Sequence, residues 1–140
     1  MEIKTIDFNF SVCKVKDYSQ VDFNCEYCFI GKTDEENSLV CTTESVPDNV
    51  IKCEDGWKAF CIQGILDFSL IGILAKLSTI LAENNIGIFA ISTFNTDYIL
   101  LKQENYERAL NILSSAGYKI VWYCVSFNSH TLLDTLSFIQ

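Results

Sequence analysis

Apolar residues recur every three or four positions in two stretches of the C-terminal half, and that period predicts two helices. In the first, from about Ser69 to Glu83, Leu70, Ile71, Leu74, Leu77 and Leu81 share one face. Ile73 and Ile80 widen the stripe, so a second surface is expected to cover this helix. Asp67 and Ser69 stand before it as candidate N-caps, because either side-chain oxygen can accept from an orphan helix amide. In the second, from about Glu104 to Ala116, the stripe is Tyr106, Ala109, Leu110 and Leu113. Gly117 follows where a left-handed C-terminal cap belongs. Runs rich in aromatic and branched residues predict strands at Trp57–Gln63, Gly87–Phe94, Tyr98–Leu101 and Tyr118–Cys124. The run Gly87–Phe94 reads as buried on both sides, and the short polar turn Asn95-Thr96-Asp97 makes it one arm of an antiparallel hairpin. Strand, helix, strand, strand, helix, strand predicts an α+β fold of ferredoxin-like (βαββαβ) type, with two helices on one face of a four-stranded antiparallel sheet.

The N-terminal half carries a weaker version of the same pattern. Strands are expected at Asn9–Val15, Cys25–Thr33, Leu39–Thr43 and Val50–Cys53, with one short helical turn within Asp17–Phe23. This predicts a degenerate second unit with eroded helices. Polar turn residues from Pro47-Asp48-Asn49 to Glu54-Asp55-Gly56 mark the expected divide. The expected domains are therefore 1–55 and 56–124. Residues 125–140 form a tail that fits neither unit, and Leu132, Leu133, Leu136 and Ile139 in it suit a short amphipathic helix.

Length and charge narrow the function. A chain of 140 residues can bury roughly 68–70% of its unfolded surface and needs no covalent staple. Its net charge of −8 repels phosphate backbones and anionic lipid, which argues against nucleic acid and membrane surfaces as partners. No apolar run of spanning length occurs. The opening Met1-Glu2-Ile3-Lys4 lacks a signal-peptide core, so a cytoplasmic location is expected. Seven cysteines, an odd number placed mostly in apolar stretches, then read as small buried hydrophobes.

Two segments carry a family resemblance. They are Gly64-Ile65-Leu66-Asp67-Phe68-Ser69-Leu70-Ile71-Gly72-Ile73-Leu74 and Ile88-Phe89-Ala90-Ile91-Ser92-Thr93-Phe94-Asn95-Thr96-Asp97-Tyr98-Ile99-Leu100. With them the chain resembles the small bacterial proteins built of two tandem ACT domains, which are related to amino-acid-sensing ACT pairs. The resemblance covers about residues 8 to 121. In the N-terminal half it rests on Ser11-Val12-Cys13-Lys14-Val15 and Gly56-Trp57-Lys58-Ala59, and the tail from Trp122 departs from the family's usual ending. It implies ferredoxin-like modules that bind small ligands, mostly amino acids, at domain or subunit interfaces. With no enzyme attached to these residues, it implies a free-standing regulatory sensor, without catalysis or cofactor, acting on an unidentified partner protein. A homodimer is expected, because Ile73 and Ile80 want cover and sheet edges invite pairing.

The residue chemistry suits such a ligand. An amino-acid carboxylate is held well by backbone amides at a helix N-terminus, and Phe68, Ser69, Leu70, Ile71 and Gly72 offer them. Its ammonium wants carboxylates, and Asp67 and Asp97 are candidates. Ser92, Thr93, Phe94, Asn95 and Thr96 complete the expected site at the end of the second strand. The same residues also fit plain structural roles. Asp67 or Ser69 can serve only as a cap, Asn95-Thr96-Asp97 only as a turn, and Gly72 only for close packing.

Other chemistry is thinner. Cys25-Glu26-Tyr27-Cys28 is a C-x-x-C pair, which suits redox or metal chemistry. Its strand-like setting points residues 25 and 28 to opposite faces, however, and His130 is the only histidine. No Gly-rich phosphate loop and no nucleophile with a positioned base occur. Three functions therefore stand in order: an amino-acid sensor, an ACT-type assembly module without ligand, and a thiol redox or metal protein using Cys25 and Cys28.

Overall fold

A computed structural model describes residues 1–63 and 72–122. The elements are β1 (Glu2–Val15), β2 (Cys28–Lys32), β3 (Asn37–Thr42), β4 (Val50–Gln63), α1 (Ile73–Glu83), β5 (Phe89–Ser92), β6 (Asp97–Lys102), α2 (Gln103–Ser115) and β7 (Lys119–Val121). One turn of 3-10 helix, Thr43–Ser45, follows β3. The chain divides into two compact units, Phe8–Trp57 and a second made of Met1–Asp7 with the residues from Lys58 onward. From the sequence, residues 1–7 read as part of the N-terminal domain; they group instead with the C-terminal unit.

The unit Phe8–Trp57 has the strand order β2-β3-β1-β4. Its first strand thus lies between its third and fourth, as in a βαββαβ unit, although neither crossover holds a helix longer than the 3-10 turn. Strands β1 and β3 pair antiparallel with Cys13 opposite Leu39, and β2 and β3 pair with Cys28 opposite Cys41. The helical turn expected within Asp17–Phe23 is absent. The carboxylates of Asp17 and Asp22 accept the backbone amides of Ser19 and Asn24, at 3.0 and 2.9 Å, and this local bonding competes with helix. The strand expected from Cys25 starts only at Cys28. Nor is there a linker at Glu54-Asp55-Gly56, which lies inside the 14-residue strand β4. Gly56, at φ 87°, supplies the left-handed backbone there that a side chain would oppose.

In the second unit β6 lies between β4 and β5, and β1 lies between β4 and β7. The start of β1 pairs in parallel with β7, with Ile3 opposite Ile120. The last strand of the C-terminal pattern therefore joins an otherwise antiparallel sheet through the first residues of the chain. Helices α1 and α2 bury Leu77, Leu81, Tyr106, Ala109, Leu110 and Leu113 against Ile3, Phe60, Ile62, Ile99 and Leu101. Ile73 and Ile80 pack half-buried on this same core. The strand predicted at Gly87–Phe94 is shorter and sits at the sheet edge, where alternate residues Ala90 and Ser92 are exposed. It is not buried on both sides.

The buried hydroxyl of Tyr106 donates to the carbonyl of Ala59 at 2.6 Å, tying α2 to β4. Burial pushes the pKa of this phenol upward. Replacing Tyr106 with phenylalanine is expected to cost about 1 kcal/mol, with the freed carbonyl adding to the loss. Urea denaturation of the two proteins measures it.

Candidate functional site

The hairpin of β5 and β6 is the best-defined part of the expected site. Ser92 stands directly opposite Asp97 and its hydroxyl donates to the carboxylate at 2.6 Å. Between them the amide of Thr93 donates to the carbonyl of Thr96 at 2.8 Å, and the Thr93 hydroxyl donates to the same oxygen at 3.0 Å. The hydroxyl of Thr96 reaches out of the turn and donates to the carbonyl of Ile62. Ile62 is the penultimate residue of β4, so the turn is fastened to the strand end from which residues 64–71 leave. Asn95 is exposed, and the ring of Phe94 is wholly exposed, at 103%.

The β2–β3 hairpin is built the same way. Adding 60 to the bounds of β3 gives those of β6, and Thr33 matches Thr93. The Thr33 amide donates to the Glu36 carbonyl at 3.0 Å, and its hydroxyl accepts from the amides of Glu35 and Glu36. At the same offset α2 in one unit corresponds to the 3-10 turn in the other. The two units thus repeat one hairpin pattern at a fixed offset of 60 residues.

Gly72 is the N-cap of α1, at φ 87° and ψ 5°. A left-handed residue cannot continue an α-helix, so α1 as described begins at Ile73. The N-cap position belongs to Gly72, and among the described residues no side chain caps the helix. The orphan amides are those of its first turn, beginning with Ile73. The carbonyl of Gly72 accepts from Lys76 at 2.8 Å, the first helical bond. A Cβ at Gly72 would meet no atom of the described residues within 4 Å. Asp67, Phe68, Ser69, Leu70 and Ile71 lie outside the described residues.

A separate cleft of about 240 Å³ is lined by Met1, Ile73, Lys76, Ala116, Gly117 and Tyr118, where the start of α1 faces the end of α2. No sequence pattern pointed to it, because its walls come from three distant stretches of chain. Among the described residues no group of three or more His, Cys, Asp or Glu side chains is placed to hold a metal ion. No helix there is long and apolar enough to cross a membrane.

The unit Phe8–Trp57 has polar and thiol groups of its own. The Ser11 hydroxyl, fully buried, donates to Asp55 at 2.5 Å and lies 2.9 Å from the Thr43 hydroxyl. The Cys53 thiol donates to the same carboxylate at 3.2 Å, and the Cys13 thiol donates to the Cys53 sulfur at 3.4 Å. Hydrogen bonds from Ser11 and then Cys53 hold the Asp55 carboxyl below the usual carboxylate range. The Cys13 thiol is pushed up by its contact with Cys41 and by burial. Cys53 is pushed up to about 12, first by desolvation and then by its contacts with Cys13 and Asp55. Cys25 and Cys28 interact with each other, and burial raises Cys28.

Residues 52–115, from within β4 to the end of α2, match the family model of the ACT domain. Over that stretch, just under half of its length, the chain is similar to ACT domains. Its fold is that of ACT regulatory domains. Among solved structures it is similar to a protein of Agobacterium tumefaciens, with 26% identity and a TM-score of 0.77 over 91% of this chain and 96% of that one. A Vibrio cholerae protein of unknown function, described as a possible transport protein, shares 19% identity at a TM-score of 0.65, over 81% of this chain and 88% of that one. The regulatory subunit of aspartate kinase from Thermus thermophilus, in its ligand-free form, shares 11% identity at a TM-score of 0.56, over 84% and 98%. The likeness to the last two shows the ACT-type fold alone. No curated protein matches the chain.

Proposed function

We propose that this ACT-domain protein is a non-catalytic, cytoplasmic regulator that binds an amino acid where residues 67–72 meet the β5–β6 turn. The observation that carries the reading is the Thr96 hydroxyl bond to Ile62, which holds the turn at the strand end leading into residues 64–71. The first turn of α1 adds amides and a favourable dipole for a carboxylate. Asp67 and Asp97 supply negative charge for the ammonium. The effector acts by linkage: it stabilises one arrangement of a homodimer, paired through sheet edges such as β5, and so alters contact with a regulated protein.

A second reading, an assembly module without ligand, is favoured by the closed bonding of the turn, in which Ser92, Thr93, Thr96 and Asp97 largely satisfy one another. A thermal-shift screen against the twenty amino acids separates the two. The sensor gains several degrees with one or a few of them; the assembly module gains none.

A further inference from the structure

Each of the four strands in the unit Phe8–Trp57 contributes a cysteine. In sheet order these are Cys28 on β2, Cys41 on β3, Cys13 on β1 and Cys53 on β4. Cys28 and Cys41 are direct cross-strand partners, the Cys13 thiol contacts Cys41, and its sulfur lies 3.4 Å from that of Cys53. These thiols form a row across one sheet face. The C-x-x-C spacing of Cys25 and Cys28 does not reveal it, because the row is made by strand pairing between residues as far as 40 positions apart.

We propose that Cys13 and Cys53 are a reversible disulfide-forming site, oxidised by low-molecular-weight disulfides. Three observations single out this pair. Strands β1 and β4 are hydrogen-bonded neighbours, and contacts at both Ser11–Asp55 and Cys13–Cys53 place the two cysteines side by side across them, a setting whose Cα spacing a disulfide can bridge. The sulfurs already touch, so closing from 3.4 Å to the bond length of about 2.05 Å needs only small side-chain rotations. The two sulfurs also differ in access: Cys53 is exposed and Cys13 is buried behind it. Cys53 is thus the group that meets the oxidant, and Cys13 is the group that resolves it.

The chemistry balances in two exchanges. The Cys53 thiol loses its proton and attacks one sulfur of the small disulfide. That sulfur–sulfur bond breaks, and one small thiolate leaves and takes up the proton. The Cys13 thiol then loses its proton and attacks the Cys53 sulfur, which expels the second small thiolate, again to be protonated. Two protein thiols are oxidised and one small disulfide is reduced to two thiols. The raised pKa of both groups keeps them as thiols at neutral pH, so exchange is slow and the reduced pair persists where small disulfides are scarce. The bridge joins β1 to β4 and closes a loop containing β2 and β3.

The full chain is incubated with oxidised glutathione, alkylated and mapped by mass spectrometry. The expected product has lost two hydrogens, carries no glutathione and yields a linked peptide pair containing Cys13 and Cys53; dithiothreitol restores both thiols. A Cys13→Ser variant is expected to stop at a stable glutathione adduct on Cys53. Bridging of Cys25 to Cys28 or Cys28 to Cys41 in place of this pair would overturn the proposal. So would a lasting glutathione adduct on Cys53 in the unaltered chain.

Discussion

Phe60→Ala is expected to cost about 3–5 kcal/mol of folding stability, the largest loss from any single substitution considered. Phe60 is fully buried in β4, and its ring belongs to the core shared by both helices, the start of β1 and β6. Truncation removes the transfer free energy of the ring and leaves a void that strands on either side of β4 cannot close without breaking their ladders. Against a typical total of about 5–15 kcal/mol the loss is a large fraction, read as a lower urea midpoint at unchanged slope. Phe94→Ala is the matched control. Its ring is wholly solvent-exposed, so stability should stay within about 0.5 kcal/mol. Equal losses at the two positions would contradict the assigned core.

Saturation with the cognate amino acid is the second large effect. At 100 times its dissociation constant an effector that binds only the folded chain adds roughly 2.7 kcal/mol. For a chain of this size that is a rise of several degrees in Tm. Asp67→Ala and Asp97→Ala each remove a carboxylate assigned to the ammonium, so the shift should vanish in both. Asp97 also accepts the Ser92 hydroxyl, and its loss loosens the end of the hairpin. The Asp97→Asn variant separates these roles, because it can still accept from Ser92 while losing the charge. A shift that survives in all three variants places the effector elsewhere.

The helices and strands of the C-terminal unit could be read from periodicity because each buries one face: the α2 stripe of Tyr106, Ala109, Leu110 and Leu113 is buried as predicted. The start of α1 was misplaced for a local reason. The left-handed Gly72 is the N-cap of the described helix, and a hydrophobic pattern carries no record of φ. The length of β4 was missed because Glu54-Asp55-Gly56 has turn composition, whereas strand pairing and one glycine of positive φ keep it in the sheet. Pairing of Ile3 with Ile120 joins residues more than a hundred positions apart, and no local signal specifies it. The thiol row of Cys13, Cys28, Cys41 and Cys53 was hidden for the same reason. At the hairpin, by contrast, Thr93 and Asn95-Thr96-Asp97 were visible as turn chemistry. What they bond to, Ile62 above all, required the fold.

An NMR titration of the isotope-labelled chain with whichever amino acid raises its Tm reads the location of binding residue by residue. The effector should move the amide signals of Gly72 to Ala75 and of Ser92 to Asp97, together with those of 67–71, while Phe8–Trp57 stays largely still. Saturable shifts that gather elsewhere and leave both segments unmoved would contradict the account.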